Sequence, residues 1–196
     1  GGHRQGDTDR GRLFRIAPPG ARYKIPEFDF STAAGAADAL RNPNLAVRYR
    51  AWQTLHGMQG DAEDELLKLY SDPNPRLRAR ALWLLGKIKG RGKHYVDVAL
   101  GDDDSNLRIT AIRLAKQLTD APSEWLAAAA DDTSPAVRRE LAIALRFDES
   151  DAMPTLWAKL AAQYDGEDRW YLEALGIGSD LRAVECLDAY LSKVDG

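Results

Sequence analysis

Stepping along the chain by thirty residues returns again and again to the same kind of residue, which restricts the fold more than any other property. Asn42, Asp72, Asp102 and Asp132 form one column; Asn44, Asn74, Asp104 and Ser134 form a second. Val47, Leu77, Leu107 and Val137 follow three positions later, each succeeded by an arginine: Arg48, Arg78, Arg108 and Arg138. Leu55, Leu85, Ala115, Leu145 and Leu175 close the unit. Within one unit, Leu77, Ala81, Leu84, Leu85 and Ile88 fall at helical spacing on one face. Asn74 suits the N-cap, and Pro75 the first helical position, where its missing N–H has no partner to lose. One such unit cannot bury its own apolar face, so a fixed period implies a solenoid of stacked helix pairs.

The spacing predicts first helices at about 32–41, 62–71, 92–100, 122–130, 152–163 and 181–192. It predicts second helices at about 45–57, 75–89, 105–118, 135–146 and 167–176. Breakers occupy the connections at Gly57–Gly60, Lys89–Gly92 and Thr119–Pro122, and Gly176 and Gly178 read as a helix stop. In the fifth unit Ala162, Tyr164 and Asp168 replace the Asp, cap and Arg columns, while Leu172, Ala174 and Leu175 keep the core register. The last helix has no partner, so Cys186, Leu187 and Tyr190 are expected to leave an apolar edge and the parent chain to continue past Gly196. Residues 1–30 differ in character. Arg12–Ala17 alternates like a strand, Pro18–Gly20 ends it, and Tyr23–Phe30 reads as an extended arm whose Phe28 and Phe30 cover the first helices. A lone strand is unstable alone, so it either packs on the first repeat or belonged to a sheet.

The repeated pattern Asp-x-x-Pro-x-(Val/Leu)-Arg-x-x-Ala-x-x-(Ala/Leu)-Leu resembles the HEAT family, in particular the short variety named after phycobilisome lyases. Asp72–Gly86 fits it most closely, and the likeness runs over residues 31–192. It implies an all-α, right-handed HEAT-like solenoid of about five and a half helix pairs, with a domain over 31–196. It also implies that Arg48, Arg78, Arg108 and Arg138, with Asp72, Asp102 and Asp132, form a structural ladder between repeats. Arg suits that role because its planar fork donates several bonds to neighbouring oxygens. The alternative, a basic stripe for phosphate or carboxylate, stays open. A second resemblance covers the front. His3–Gln5 and Asp9–Pro18 are similar to the segment closing the β-propeller in planctomycete-type membrane-bound dehydrogenase-like proteins, in which HEAT repeats and a c-type cytochrome follow. That implies an arm at 1–30 ending a propeller, and a periplasmic or cell-envelope location.

No catalytic set, cofactor fingerprint or metal-ligand spacing stands out. Asp102–Asp104 with Asp131 and Asp132 lack the glycine and spacing of a calcium loop; turn and cap roles account for them. His3, His56 and His94 lie far apart, and Cys186 is alone. With no Met at the start and no targeting segment, the chain reads as an excised piece. The net charge of −3 divides into +2 over residues 1–30 and −5 over the repeats, which argues against nucleic acid as partner. No window reaches the roughly twenty apolar residues of a membrane span.

Function therefore falls to surface. The non-core faces of the second helices, which line the concave side in HEAT-like stacks, carry Tyr49, Arg50, Gln53, Arg80, Trp83, Arg113 and Arg139. Trp and Arg are enriched at interface hot spots. Trp83 equally fits a role in widening the apolar stripe, and Trp52, Trp125, Trp157 and Trp170 read as packing. The expected function is a non-catalytic interaction or spacer domain, its partner a protein or the neighbouring modules of a dehydrogenase-like parent. The alternatives are a phycobilisome-lyase-like chromophore attachment factor and a nucleic-acid-binding HEAT protein.

Overall fold

The computed structural model describes residues 16–22 and 26–194. His3, Tyr23 and most of the strand expected at Arg12–Ala17 lie outside the described residues; Ile16 and Ala17 are exposed and belong to no strand. Among the described residues every regular element is helical: α1 (Ala33–Ala39), α2 (Leu45–Met58), α3 (Glu63–Tyr70), α4 (Pro75–Leu85), α5 (Gly92–Leu100), α6 (Ser105–Leu118), α7 (Pro122–Leu126), α8 (Pro135–Ala144), α9 (Met153–Ala161), α10 (Arg169–Ser179) and α11 (Ala183–Val194). Short 3-10 turns at Gln59–Ala62, Ala127–Asp131 and Leu145–Phe147 adjoin α3, α7 and α8.

Each second helix starts for a reason visible in the repeat. The Asn/Asp column folds a tight turn, its side chain accepting the amide two residues on. Asn42, Asp72, Asp102 and Asp132 take the amides of Asn44, Asn74, Asp104 and Ser134 at 2.8, 2.8, 2.9 and 2.8 Å. The next column then caps the helix. Asn44, Asn74 and Asp104 accept from Ala46, Arg76 and Asn106, whereas Ser134 makes no side-chain cap. Each such cap contributes about 1 kcal/mol.

The helices pack as consecutive pairs in two layers. α1 lies on α2, α3 on α4 and α5 on α6, while α2, α4, α6, α8 and α10 stack one on the next. In the other layer α1 touches α3, and α9 lies between the turn after α7 and α11. The result is a HEAT-like helical solenoid of five pairs and one further helix. Ala51, Ala81 and Ala111 are fully buried, and their small size lets neighbouring helices approach closely. Leu55, Leu85, Ala115, Leu145 and Leu175 line the core beside them. Phe28 and Phe30 pack on the first pair, and Asp29 accepts from Ser31 and from Thr32, the N-cap of α1.

The fifth unit differs from its sequence reading. Its N-cap is Asp168, which receives the amides of Trp170 and Tyr171, so α10 starts one turn later than its counterparts. Tyr171 takes the core place and donates to the Leu160 carbonyl at 3.0 Å, whereas Leu172 is 53% exposed. Trp170 is exposed too and packs against no core. Gly176 and Gly178 do not stop α10; both lie inside it, and at Gly178 the helix crosses the Ala142 backbone so closely that a Cβ would overlap the carbonyl oxygen. At the end of the array α9 covers α11. Cys186 is buried, its Sγ 3.7 Å from the Met153 sulfur, instead of lying on an open edge. The outward face of α11 still presents Leu187, with Val184, Leu191 and Val194.

Candidate functional site

The arginine column acts between repeats, but not at every level. Arg108 fixes two turns at once: Nε and a terminal nitrogen grip both Asp132 carboxylate oxygens at 2.6 and 2.9 Å, and the other terminal nitrogen donates to the Asp102 and Asp103 carbonyls. Arg78 donates to Asp102 across the next interface and to the Tyr70 carbonyl. The ends differ. Among the described residues Arg48 holds only its own turn, through the Asn42 and Pro43 carbonyls, because Arg41 binds Asp72 instead at 2.5 Å. Arg138 reaches the Asp132 carbonyl and faces the Tyr171 ring at 5.7 Å; with Ala162 in the Asp column, its buried Nε has no partner among the described residues.

These contacts set the acid–base properties of the turn carboxylates. Burial is the largest influence on Asp132 and opposes its ionisation. The Arg108 side chain and the Ser134 amide together outweigh burial, so the carboxyl stays below its usual range. Asp72 is lowered chiefly by the Asn74 amide and then by Arg41. Asp102 and Asp132 fold turns, Asp104 caps α6 and Asp131 pairs with Lys159 at 2.6 Å, so four of the aspartates considered as a cation cluster are spent on turns and pairs. Among the described residues no group of three His, Cys, Asp or Glu is placed to hold a metal. His56 stacks on Trp52 at 4.8 Å, and His94 lies against Tyr95.

The second-helix face divides into separate places. α2 and α4 enclose a cleft of about 250 Å³ lined by Leu40, Leu45, Arg48, Tyr49, Trp52, Arg80 and Trp83. Residues 45, 48, 49 and 52 share one face of α2 by helical spacing, and α4 supplies 80 and 83. Tyr49 is 60% exposed, and Gln53 donates to its hydroxyl at 3.3 Å from the rim. Arg80 donates to the Leu40 carbonyl at 2.5 Å. Burial, and then the charges of Arg48 and Arg76, lower its pKa: a cation crowded by cations. No carboxylate lines this cleft among the described residues.

The remaining residues of that face lie elsewhere. Arg50 sits over the Phe30 ring at 4.7 Å, fastening the arm. Arg113 is held bidentately by Glu140 at 2.9 and 2.7 Å and does not join Trp83 in one pocket. Arg139 pairs with Asp168 at 3.2 Å and borders a different cavity with Ile143, Trp170 and Ile177. Trp52 packs against the core as its sequence reading had it, and it is also a wall of the cleft, a second role that sequence reasoning missed; the signal was available, since Trp52 lies one step of the same helical face from Tyr49. It also missed Asp148, buried and accepting the Ser123 and Ser150 amides at 2.6 and 2.9 Å. Asp148 belongs to no column, and no periodic argument reaches it.

Residues 33–97, the stretch that holds the cleft, match the family described as HEAT repeats. A rice protein, regulatory-associated protein of TOR 2 (Oryza sativa subsp. japonica), is similar at 33% identity over 92 residues. That match covers 46% of this chain but only 6% of the rice protein's length. Together with the stacked pairs, the match over residues 33–97 supports a HEAT-like repeat domain; HEAT repeats in general serve protein interaction and scaffolding. HEAT repeats are in general non-catalytic units. No helix among the described residues is long and apolar enough to cross a membrane.

Proposed function

We propose that this domain is a non-catalytic protein-interaction module whose working surface is the cleft between α2 and α4. The observation that carries the reading is its composition: two indoles and a tyrosine form apolar walls, while Arg48 and Arg80, among the described residues, donate to carbonyls and to no carboxylate. Such a site favours an aromatic or aliphatic side chain flanked by carboxylates, since a carboxylate relieves the repulsion among the arginines and gains charge-assisted hydrogen bonds. The chemistry fits an acidic segment of a protein partner. The rice relative's name, that of a protein associated with another, supports an interaction role. Under the narrower reading, in which the array belongs to a dehydrogenase-like parent, a neighbouring propeller or cytochrome module supplies that segment. The narrower reading rests on the resemblance at residues 3–18. The spacer role stands if the cleft binds nothing.

The test uses fluorescein-labelled hexapeptides with a central Phe or Trp between Asp residues, measured by anisotropy against versions with Lys in place of Asp. Acidic peptides should bind and lysine versions should not. The combined Tyr49→Ala and Arg80→Gln variant should weaken binding by about tenfold or more with an unchanged circular dichroism spectrum. Equal binding of both peptide types, or an unaffected variant, would overturn the cleft as the working surface.

A further inference from the structure

Away from that cleft, the turn joining α4 to α5 builds a second cavity of a different kind. It encloses about 510 Å³ and is bordered by His56, Lys87, Lys89 and Lys93, with Leu118 and Trp125 as apolar walls. Its size falls in the range of small-molecule sites, about 300–1,000 Å³. The lysines come from one short stretch, Lys87–Lys93, which with Arg91 holds four cations in a chain whose net charge is −3.

Three glycines make the crowding possible. Gly86 lies so close to Leu114 that a Cβ would overlap the leucine methyl; Gly92 lies against Leu118 and the Gly86 carbonyl; Gly90 has φ of +77°. The turn therefore closes tightly and gathers its lysines at one mouth. Two of these charges, those of Lys87 and Lys89, have no carboxylate partner among the described residues. Lys87 meets only the neutral Gln117 amide oxygen at 3.3 Å, and Lys89 has no side-chain partner among the described residues. Lys93 pairs with Asp97, and Arg91 is drawn aside by Glu63. No acidic residue lines the cavity among those described. The first turn of α5 adds to the imbalance. It contains no acidic residue and no side-chain cap, so the positive end of that helix meets more positive charge.

From the two lysines without a carboxylate partner, Lys87 and Lys89, gathered beside Lys93 at an apolar-walled cavity, we infer that this turn binds a phosphate monoester carried on a flat aromatic body. Lys87 and Lys89, with the first-turn amides of α5, which carry no side-chain cap, take the phosphate oxygens, while Trp125 and Leu118 take the body. A bare inorganic ion would use only half of the site. The inference is independent of the α2–α4 cleft.

Phenyl phosphate is the probe for the shared chemistry. AMP and a phosphotyrosine pentapeptide distinguish a small-molecule source from a peptide source. Each is titrated into the full chain by calorimetry at low salt. Phenyl phosphate should bind saturably and at least about tenfold more tightly than inorganic phosphate, and Lys87→Gln with Lys89→Gln should weaken it by about tenfold or more. Whichever of AMP or phosphopeptide binds better names the source; tighter binding of either supports the site. No saturable binding of any of the three, equal affinity for inorganic phosphate, or an unaffected double variant would overturn it. The Tyr49→Ala and Arg80→Gln variant should bind phenyl phosphate normally, which separates failure here from failure at the cleft.

Discussion

Replacing Arg108 by Ala removes four hydrogen bonds from the middle of the array and leaves the Asp132 carboxylate without its bidentate partner. The two side chains are 14% and 9% exposed, so the pair behaves as a buried one and not as a surface ion pair. Breaking a buried pair by removing one partner costs about 3–5 kcal/mol, against about 0–1 for an exposed pair. Asp132 still accepts the Ser134 amide at 2.8 Å, which places Arg108→Ala near the lower end, at about 3 kcal/mol. The protein supplies its own control. Arg169 and Glu173 pair at 3.4 Å with 80% and 55% exposure, and Glu173→Ala should cost less than about 0.5 kcal/mol. Urea unfolding followed by circular dichroism measures both, and a cycle with Asp132→Ala isolates the coupling. The pH dependence is a second check. Because the folded Asp132 pKa lies below the unfolded value of about 3.9, its stabilisation is complete above that pH and is lost as pH falls through the folded pKa. The gap between the native protein and Arg108→Ala should therefore narrow as pH is lowered from about 5 to about 2. A loss no larger than that of Glu173→Ala, or a gap independent of pH, would refute the argument that this rung joins adjacent repeats.

Two glycines of α10 should respond in opposite directions. Gly176→Ala, in open space, should gain about 0.5–1 kcal/mol by helix propensity, whereas Gly178→Ala, against the Ala142 carbonyl, should lose about 1–3 kcal/mol in the same urea assay. Cys186, whose thiol is pushed up to about 11 by burial, should resist Ellman's reagent at pH 8 until the protein unfolds. The thiol is neutral in the fold and its pKa is raised, so its contribution to stability holds below the unfolded value of about 8.5 and is lost towards pH 11; Cys186→Ala should flatten that alkaline loss of melting temperature. Replacing both Phe28 and Phe30 by Ala should lower the melting temperature with little change in helix content, since both pack on the first pair without belonging to a helix. An unchanged midpoint would mean that this part of the arm contributes no stability.

What the sequence alone determined is whatever recurs. The turn aspartates, the caps at Asn44, Asn74 and Asp104, and the buried columns ending in Leu55, Leu85 and Leu145 depend on contacts within one unit or between identical neighbours. A thirty-residue period specifies such contacts wherever the residue type recurs, and the helix pairs were legible from it. What only the tertiary structure decided lies where the period breaks or where several groups compete for one partner. Arg41 takes Asp72 and leaves Arg48 on its own turn; Glu140 captures Arg113 and removes it from the neighbourhood of Trp83. Neither choice can be read from columns, because each depends on which side chain reaches a carboxylate first in space. Leu172 keeps the core register of its column yet lies exposed, since α10 begins one turn late and, among the described residues, no further second helix stacks upon it. Cys186 is buried for the converse reason: α9 reaches across to cover it. The cleft shows both kinds of determination at once. Helical spacing places Tyr49 and Trp52 on one face, but only the packing of α2 beside α4 brings Arg80 and Trp83 opposite them.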